Sequence, residues 1–241
     1  MIKGLTALST MLAQKVNNLG SCVACLEPVA SFGLCEPCRQ ALPWNQWQCR
    51  QCALPLAFSS DQMLCGECLR APPPFTRVIA PWRYQFPVDR MIHRYKASGQ
   101  RAFARPLLES LGQHLSGLLE QHPDWRPDLL VSSPMHPARR RDRGFNQASD
   151  IAEHLSRMLN LPWSPEIAAR KHKTSSQRKL GRSARLTNLA GVFAVVSKPP
   201  AHVAIVDDVV TTGATARLLA LALRKAGAEQ VQVWALARTP G

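Results

Sequence analysis

Apolar positions along this chain come in blocks whose spacing changes from strand-like to helix-like and back. Val203 to Val206 are four consecutive apolar residues, too few for a helix and without alternation, the pattern of a parallel strand buried on both faces. Leu129 to Ser132 form a second apolar run ending in small polar residues and predict another core strand, and Val78 to Tyr84 predict a further short strand. Between these runs the period lengthens. Leu108, Leu111, Leu115 and Leu118 fall on one stripe of a helix over Leu107 to Leu119, and Phe145, Ala148, Ile151, Ala152, Leu155 and Leu159 fall on the inward face of a second. Ala214 to Ala226 predict a leucine-rich third helix. Strands alternating with helices predict an α/β fold, a doubly wound, mostly parallel sheet.

The front of the chain has a different character. All 8 cysteines lie between Cys22 and Cys68, as the Cys-x-x-Cys pairs Cys22/Cys25, Cys35/Cys38, Cys49/Cys52 and Cys65/Cys68. Such a knuckle offers two thiolates to a tetrahedral zinc, so two structural Zn²⁺ sites of four cysteines each are expected. Sequential pairing of the knuckles is simplest, while interleaved pairing, as in cross-brace modules, uses the same residues. Neither leaves an open coordination position, so structural rather than catalytic zinc is expected. Disulfides are the rival use of these residues, and they require an oxidising compartment. Gln14, Lys15, Asn17 and Asn18 interrupt any apolar core of a leader, so Leu19-Gly20-Ser21-Cys22 is not read as a lipoprotein box. No stretch approaches the roughly eighteen apolar residues of a membrane span. A cytoplasmic protein is expected. Ala71-Pro72-Pro73-Pro74 reads as a linker, dividing a zinc-binding module over 1–71 from a second domain over 75–241.

Charge narrows the partners. The formal charge is +14, and no acid occurs between Glu166 and Asp207, a stretch that holds Arg170, Lys171, Lys173, Arg178, Lys179, Arg182, Arg185 and Lys198. Arg139, Arg140, Arg141 and Arg143 form a second basic knot. Such a surface attracts polyanions, nucleic acid and phosphorylated metabolites among them. Trp44, Trp47, Trp82 and Tyr84 add rings that can stack on bases or fill the core.

The most specific chemistry follows the strand at Val203. Asp207 and Asp208 emerge at its carboxyl end, where open α/β sheets bind their ligands. Thr211, Thr212, Gly213, Ala214 and Thr215 can then cradle an anion with backbone N–H groups and hydroxyls, at the amino terminus of the third helix. A plain strand-to-helix turn with two solvated acids is the alternative. After the strand at Leu129, Arg140, Arg143 and Asn146 are candidates to neutralise a pyrophosphate. A solvated basic helix start is the competing reading.

Residues 203–215 resemble the signature of type I phosphoribosyltransferases, which bind 5-phosphoribosyl-1-pyrophosphate (PRPP). The resemblance implies that Asp207 and Asp208 hold the ribose hydroxyls and that Thr211 to Thr215 hold the 5-phosphate. Together with the four knuckles, the Pro-rich join, Trp82-Arg83-Tyr84, Ile92-His93-Arg94-Tyr95-Lys96, Arg143-Gly144-Phe145-Asn146-Gln147 and Arg170 to Gln177, the order of motifs resembles the ComF/GntX family of competence and DNA-utilisation proteins. That likeness implies a zinc ribbon preceding a type I phosphoribosyltransferase-like domain, with Mg²⁺ accompanying PRPP. It also implies a lid over 170–188, in which Lys171, Lys173 and Arg178 reach the leaving pyrophosphate. Two functions are compatible with it: a binding protein for PRPP and single-stranded DNA in contact with uptake machinery, and an active PRPP-dependent transferase whose acceptor is open.

Overall fold

The computed structural model describes residues 20–28, 33–58, 63–170 and 192–241. The strand at Val203 is the centre of the sheet, as β7 (His202–Val210), and Leu129 begins its neighbour β3 (Leu129–Ser132). The other strands are β1 (Val78–Ile79), β2 (Trp82–Arg83), β4 (Trp163–Ser164) and β8 (Gln230–Arg238). The order across the sheet is β1-β8-β7-β3-β4, with β2 also on β8, and every pair is parallel. Ile205 lies opposite Val131 on one side and Val233 on the other, which fixes the register of the core strands.

Residues 203–206 are fully buried because helices cover both faces. Ala204 and Val206 point with Leu130, Trp234 and Leu236 into one core layer, beneath α3 (Val88–Ser98), α4 (Arg101–Gln121) and α6 (Gln147–Leu159). Val203 and Ile205 point with Val131, Val233 and Ala235 into the other, beneath α7 (Ala214–Lys225) and an antiparallel pair, β5 (Ala168–Arg170) with β6 (Phe193–Val195). The period-two alternation therefore divides one apolar run between two cores. Each large aliphatic side chain so buried contributes about 1.5–3 kcal/mol.

Chain direction creates the crevice. From β3 the chain crosses through α6 to β4 at one edge, whereas from β7 it crosses through α7 to β8 on the other side. The carboxyl ends of β3 and β7 thus flank the point at which the winding reverses, where such sheets take ligands.

Several elements differ from their sequence expectations. Val78 to Tyr84 is two short strands, interrupted at Pro81, which has no N–H for the ladder. The carbonyl of Pro81 instead accepts from the Asn45 N–H at 2.7 Å, and the cysteine-rich segment adds there through Trp44 opposite Trp82. The basic knot is a short helix, α5 (Pro137–Arg143), started by Pro137 behind the His136 cap and stopped by Gly144 at φ 82. Phe145 sits in the turn before α6 and packs on Tyr95, ring centroids 5.5 Å apart. Pro73 is buried and Phe75 joins the second core layer, so the Pro-rich join packs along the domain. α3 and β8 have no counterpart in the sequence reading, although β8 is the most extensively paired partner of β7.

Leu155 of α6 is fully buried in the first core layer and Glu153 of the same helix is exposed. Leu155→Ala is expected to lower unfolding stability by about 2–5 kcal/mol through the cavity it leaves. Glu153→Ala should stay within about 0.5 kcal/mol. Urea titration followed by circular dichroism compares the two, and equal losses would contradict this packing.

Candidate functional site

The cysteines gather into two sets, Cys22, Cys25, Cys35 and Cys38, and Cys49, Cys52, Cys65 and Cys68, with the sulfurs in each set within 4.8 Å of one another. Pairing is therefore sequential. The sites repeat one local design. Cys22 and Cys49 each accept the N–H of the residue four positions on, Leu26 and Ala53, both at positive φ, and Cys35 and Cys65 each cap a five-residue helix, α1 (Glu36–Gln40) and α2 (Gly66–Arg70).

The donor set suits zinc. Cys25 and Cys35 sulfurs are 3.5 Å apart and Cys52 and Cys65 sulfurs 3.6 Å. A tetrahedron with Zn–S bonds of about 2.3 Å has edges of about 3.8 Å. Burial works against ionisation of Cys22, but the N–H groups of Cys35, Cys25 and Ala24 overcome it and bring its pKa down to about 6. Cys49 falls to about 7 in the same way, under the N–H groups of Cys65, Cys52 and Gln51. Burial pushes Cys52 up to about 11, and the Cys49 charge adds to that rise. Four thiolates this close need a cation among them, and a divalent metal supplies it.

Within the sheet, Asp207 and Asp208 occupy β7 just past the last residue paired with β3, Val206 opposite Ser132. From there one edge of β7 is open, while β8 continues beside the other as far as Val210 opposite Arg238. Asp207 Oδ1 accepts the Asp208 N–H at 2.8 Å, and Lys96 Nζ of α3 pairs with Asp208 Oδ2 at 3.0 Å. Burial is the main force on Asp207. With the neighbouring Asp208 charge it pushes the pKa up to about 7, against stabilisation of the ionised form by the Asp208 N–H, Lys96 and Ser133. Two adjacent acids on one strand thus separate into one paired with a cation and one poised near neutrality.

The loop that follows turns at Gly213 into a helix. Gly213, at φ 75, is the N-cap of α7, a conformation that costs other residues about 1–2 kcal/mol. Thr212 Oγ1 accepts the Ala214 N–H at 3.3 Å, while Thr211, Thr212 and Thr215 are exposed. At a helix start the N–H groups of Thr215 and Ala216 have no intrahelical acceptor and face outward with the positive end of the helix dipole.

The pyrophosphate candidates divide. Arg140 is exposed on α5, which packs beside the Lys96 helix. Arg143 turns back to donate to Gln147 Oε1 at 2.8 Å. Asn146 caps α6, accepting the Ala148 N–H at 3.2 Å and donating to the Ser133 carbonyl at 3.1 Å, so it anchors the loop that touches the acid pair. Lys171, Lys173, Arg178 and the rest of the expected lid beyond Arg170 lie outside the described residues. The flanks of that segment meet where Arg170 pairs with Phe193. Trp82 is fully buried, whereas Trp44 and Trp47 remain partly exposed.

Sequence reasoning assigned no role to Lys96, Arg217 or Arg238. Lys96 lies in a quoted string, but its reach to Asp208 exists only once α3 packs. Arg238 carried a readable signal, a lone cation ending an apolar run from Val233 to Ala237.

Elemental analysis of the purified protein is expected to give two zinc ions per chain, and Cys25→Ala should leave one. Absence of zinc with all 8 thiols titratable would refute the metal sites.

Comparison with known proteins agrees with this layout. A family model described as a double zinc ribbon domain matches residues 20–69. The chain is 35% identical to the DNA utilization protein YhgH of Escherichia coli K12 over 223 residues, covering 91% of this chain and 97% of that one. It is 33% identical to competence protein F of Haemophilus influenzae, covering 87% and 92%. It is 28% identical to competence protein ComFC of Streptococcus pneumoniae, covering 66% and 67%. Among solved structures, a purine phosphoribosyltransferase from Pyrococcus horikoshii aligns with TM-score 0.37 and 20% identity over 55% of this chain and 74% of that one. With relatives spanning nearly its whole length and a double zinc ribbon ahead of a doubly wound parallel sheet, the chain belongs to the ComF/GntX family of competence and DNA-utilisation proteins.

Proposed function

We propose that this protein acts in the cytoplasm in the uptake or utilisation of DNA, and that it binds PRPP with Mg²⁺ at the carboxyl edge of its sheet. In this reading residues 75–241 hold the ligand and residues 1–71 form the zinc module. The observation that carries it is the placement of Asp207 and Asp208 on the open edge of β7, directly before a Thr-Thr-Gly turn that opens a helix. A vicinal diol needs paired acceptors, a phosphate monoester needs N–H donors at a helix start, and the two must lie one sugar apart. Mg²⁺ accompanying PRPP would supply positive charge that offsets that of the pyrophosphate. Lys96 would release Asp208 to the ribose and remain beside the anion. Among the described residues, no helix is long and apolar enough to cross a membrane.

Two further readings each rest on one observation. Arg139, Arg140 and Arg141 are exposed together on α5, an arrangement suited to the backbone of single-stranded DNA. Asp207, with its pKa near 7, has the poise of a general acid–base, which favours an active transferase that displaces pyrophosphate from PRPP in favour of an acceptor.

Replacing Asp207 and Asp208 together by Asn removes two charged acceptors, each worth about 1.5–3 kcal/mol, so PRPP affinity should fall at least roughly tenfold with the fold intact. Calorimetry with Mg²⁺ measures it, and unchanged affinity would remove the ribose-binding role.

The raised Asp207 pKa gives a signed pH dependence. The folded protein holds this proton up to about pH 7, where the unfolded chain has already lost it near 3.8. Its contribution to stability is therefore present at low pH and is lost as pH rises through about 7. Asp207→Asn should flatten that slope in thermal melts. Ribose hydroxyls donate to the carboxylate, so PRPP affinity should strengthen as pH rises towards 7 and then level, with proton release detectable in buffers of differing ionisation enthalpy. Binding that weakens over this interval would contradict the role of Asp207.

For nucleic acid, neutralising Arg139, Arg140 and Arg141 should flatten the slope of log K against log salt by about 0.7 per lost single-strand phosphate contact. An unchanged slope would move the DNA path elsewhere.

A further inference from the structure

We propose that the second zinc knuckle is a working part of the anion loop, fastened to it by Arg238 and Arg217, so that metal occupancy at Cys49, Cys52, Cys65 and Cys68 and ligand binding at residues 211–215 are coupled. The consequence for affinity rests on the PRPP reading above, whereas the fastening rests on contacts alone.

Arg238 ends β8 and is 5% exposed. Its Nε donates to the carbonyl of Cys52, a metal-ligand residue, at 3.1 Å. Nη1 of the same guanidinium reaches the carbonyls of Val210 at 3.2 Å and Thr239 at 3.0 Å, and also that of Thr211. Thr239 Oγ1 donates to the same Thr211 carbonyl at 3.2 Å. One planar fork therefore holds both the knuckle and the first residue of the anion loop. Its described partners are carbonyls and a hydroxyl, none of them a carboxylate, so its charge is not cancelled by an adjoining acid. A buried guanidinium under an anion loop adds positive potential where a phosphate would sit.

Arg217 makes a second, independent tie from the other side of the loop. It lies one turn into α7, where its N–H closes on the Gly213 carbonyl at 2.9 Å. Its Nη1 donates to the Ala71 carbonyl at 3.2 Å, and its Nη2 pairs with Glu67 Oε1, between Cys65 and Cys68, at 3.3 Å. The loop thus hangs between two arginines, and both end on the same knuckle. The first cysteine site supplies an internal control, because its residues pack in the core layer with α4, whereas Cys49, Cys52, Cys65 and Cys68 belong to the layer beneath α7. Metal at the second site fixes Cys52 and Glu67, and with them the points on which the arginines pull. By linkage, a ligand that orders the loop must in turn tighten metal binding at the second site.

Hydrogen exchange by mass spectrometry on the full-length zinc-loaded protein tests this. Arg238→Gln and Arg217→Gln are each expected to speed exchange in the peptide spanning 209–216 by about tenfold, one lost hydrogen-bond anchor, while α6 peptides and the zinc count stay unchanged. Removing zinc from the second site should loosen the same peptide in wild type. Cys35→Ser, which disables the first site, should not. Unchanged exchange over 209–216 in both arginine variants, or equal loosening from loss of either zinc, overturns the proposal. If Arg238→Gln fails to fold, Arg217→Gln and the two metal-loss experiments decide the matter. Calorimetry with PRPP and Mg²⁺ separates the two readings: weaker binding in the arginine variants supports the coupling, while a wild type that binds no PRPP sinks the ligand assignment and leaves the exchange result to judge the fastening.

Discussion

Burial of β7 on both faces is the constraint on which the rest of the molecule depends. A strand with helices above and below and partners on both edges can satisfy its backbone only through those partners, so the length of each neighbour decides where the sheet stops being a sheet. β3 stops at Ser132 and β8 runs on to Arg238. The four residues from Asp207 to Val210 are therefore held straight by one neighbour and open on the other side. A loop could present two acids, but with less certain spacing and orientation. Here the pleat sets both, and the same rigidity starts the turn at Thr211 from a fixed point.

That geometry also explains the electrostatics. Placing two carboxylates in succession at the edge of an apolar core cannot leave both ionised and unpaired. Lys96 reaches in from α3 to pair with Asp208, and Asp207 takes the strain as a raised pKa. In a protein of net charge +14, the acid pair thus keeps one cation beside it and one proton held to about pH 7.

What was legible in the sequence is what is local. Val203 to Val206 announce a buried parallel strand by composition alone, the Thr-Thr-Gly turn needs glycine for its positive φ, and eight cysteines in pairs can be read without any tertiary knowledge. Their pairing into sites was not legible, because spacing allows sequential and interleaved sets alike, and only the positions of the sulfurs make it sequential. Contacts between distant segments were not legible. Lys96 and Asp208 are far apart in sequence, α3 is amphipathic only with respect to a core not yet built, and the proline break at Pro81 becomes meaningful once Asn45 is found against it. The extent of the helix at the basic knot was obscured by its arginines, which pointed to pyrophosphate although Pro137 and Gly144 bracket a helix.

The zinc ribbon is the clearest case of a local motif with a distant consequence. A segment this short has too little core to fold alone, and metal supplies the missing free energy. Once folded, its two halves take opposite sides of the sheet, one against α4 and the other beneath α7, so the ribbon grips the edge of the sheet like a clasp. Its second half is where Arg238 and Arg217 end. A module readable from spacing as a bare metal site thus becomes, through two arginines at the ends of other elements, part of the frame that holds the anion loop.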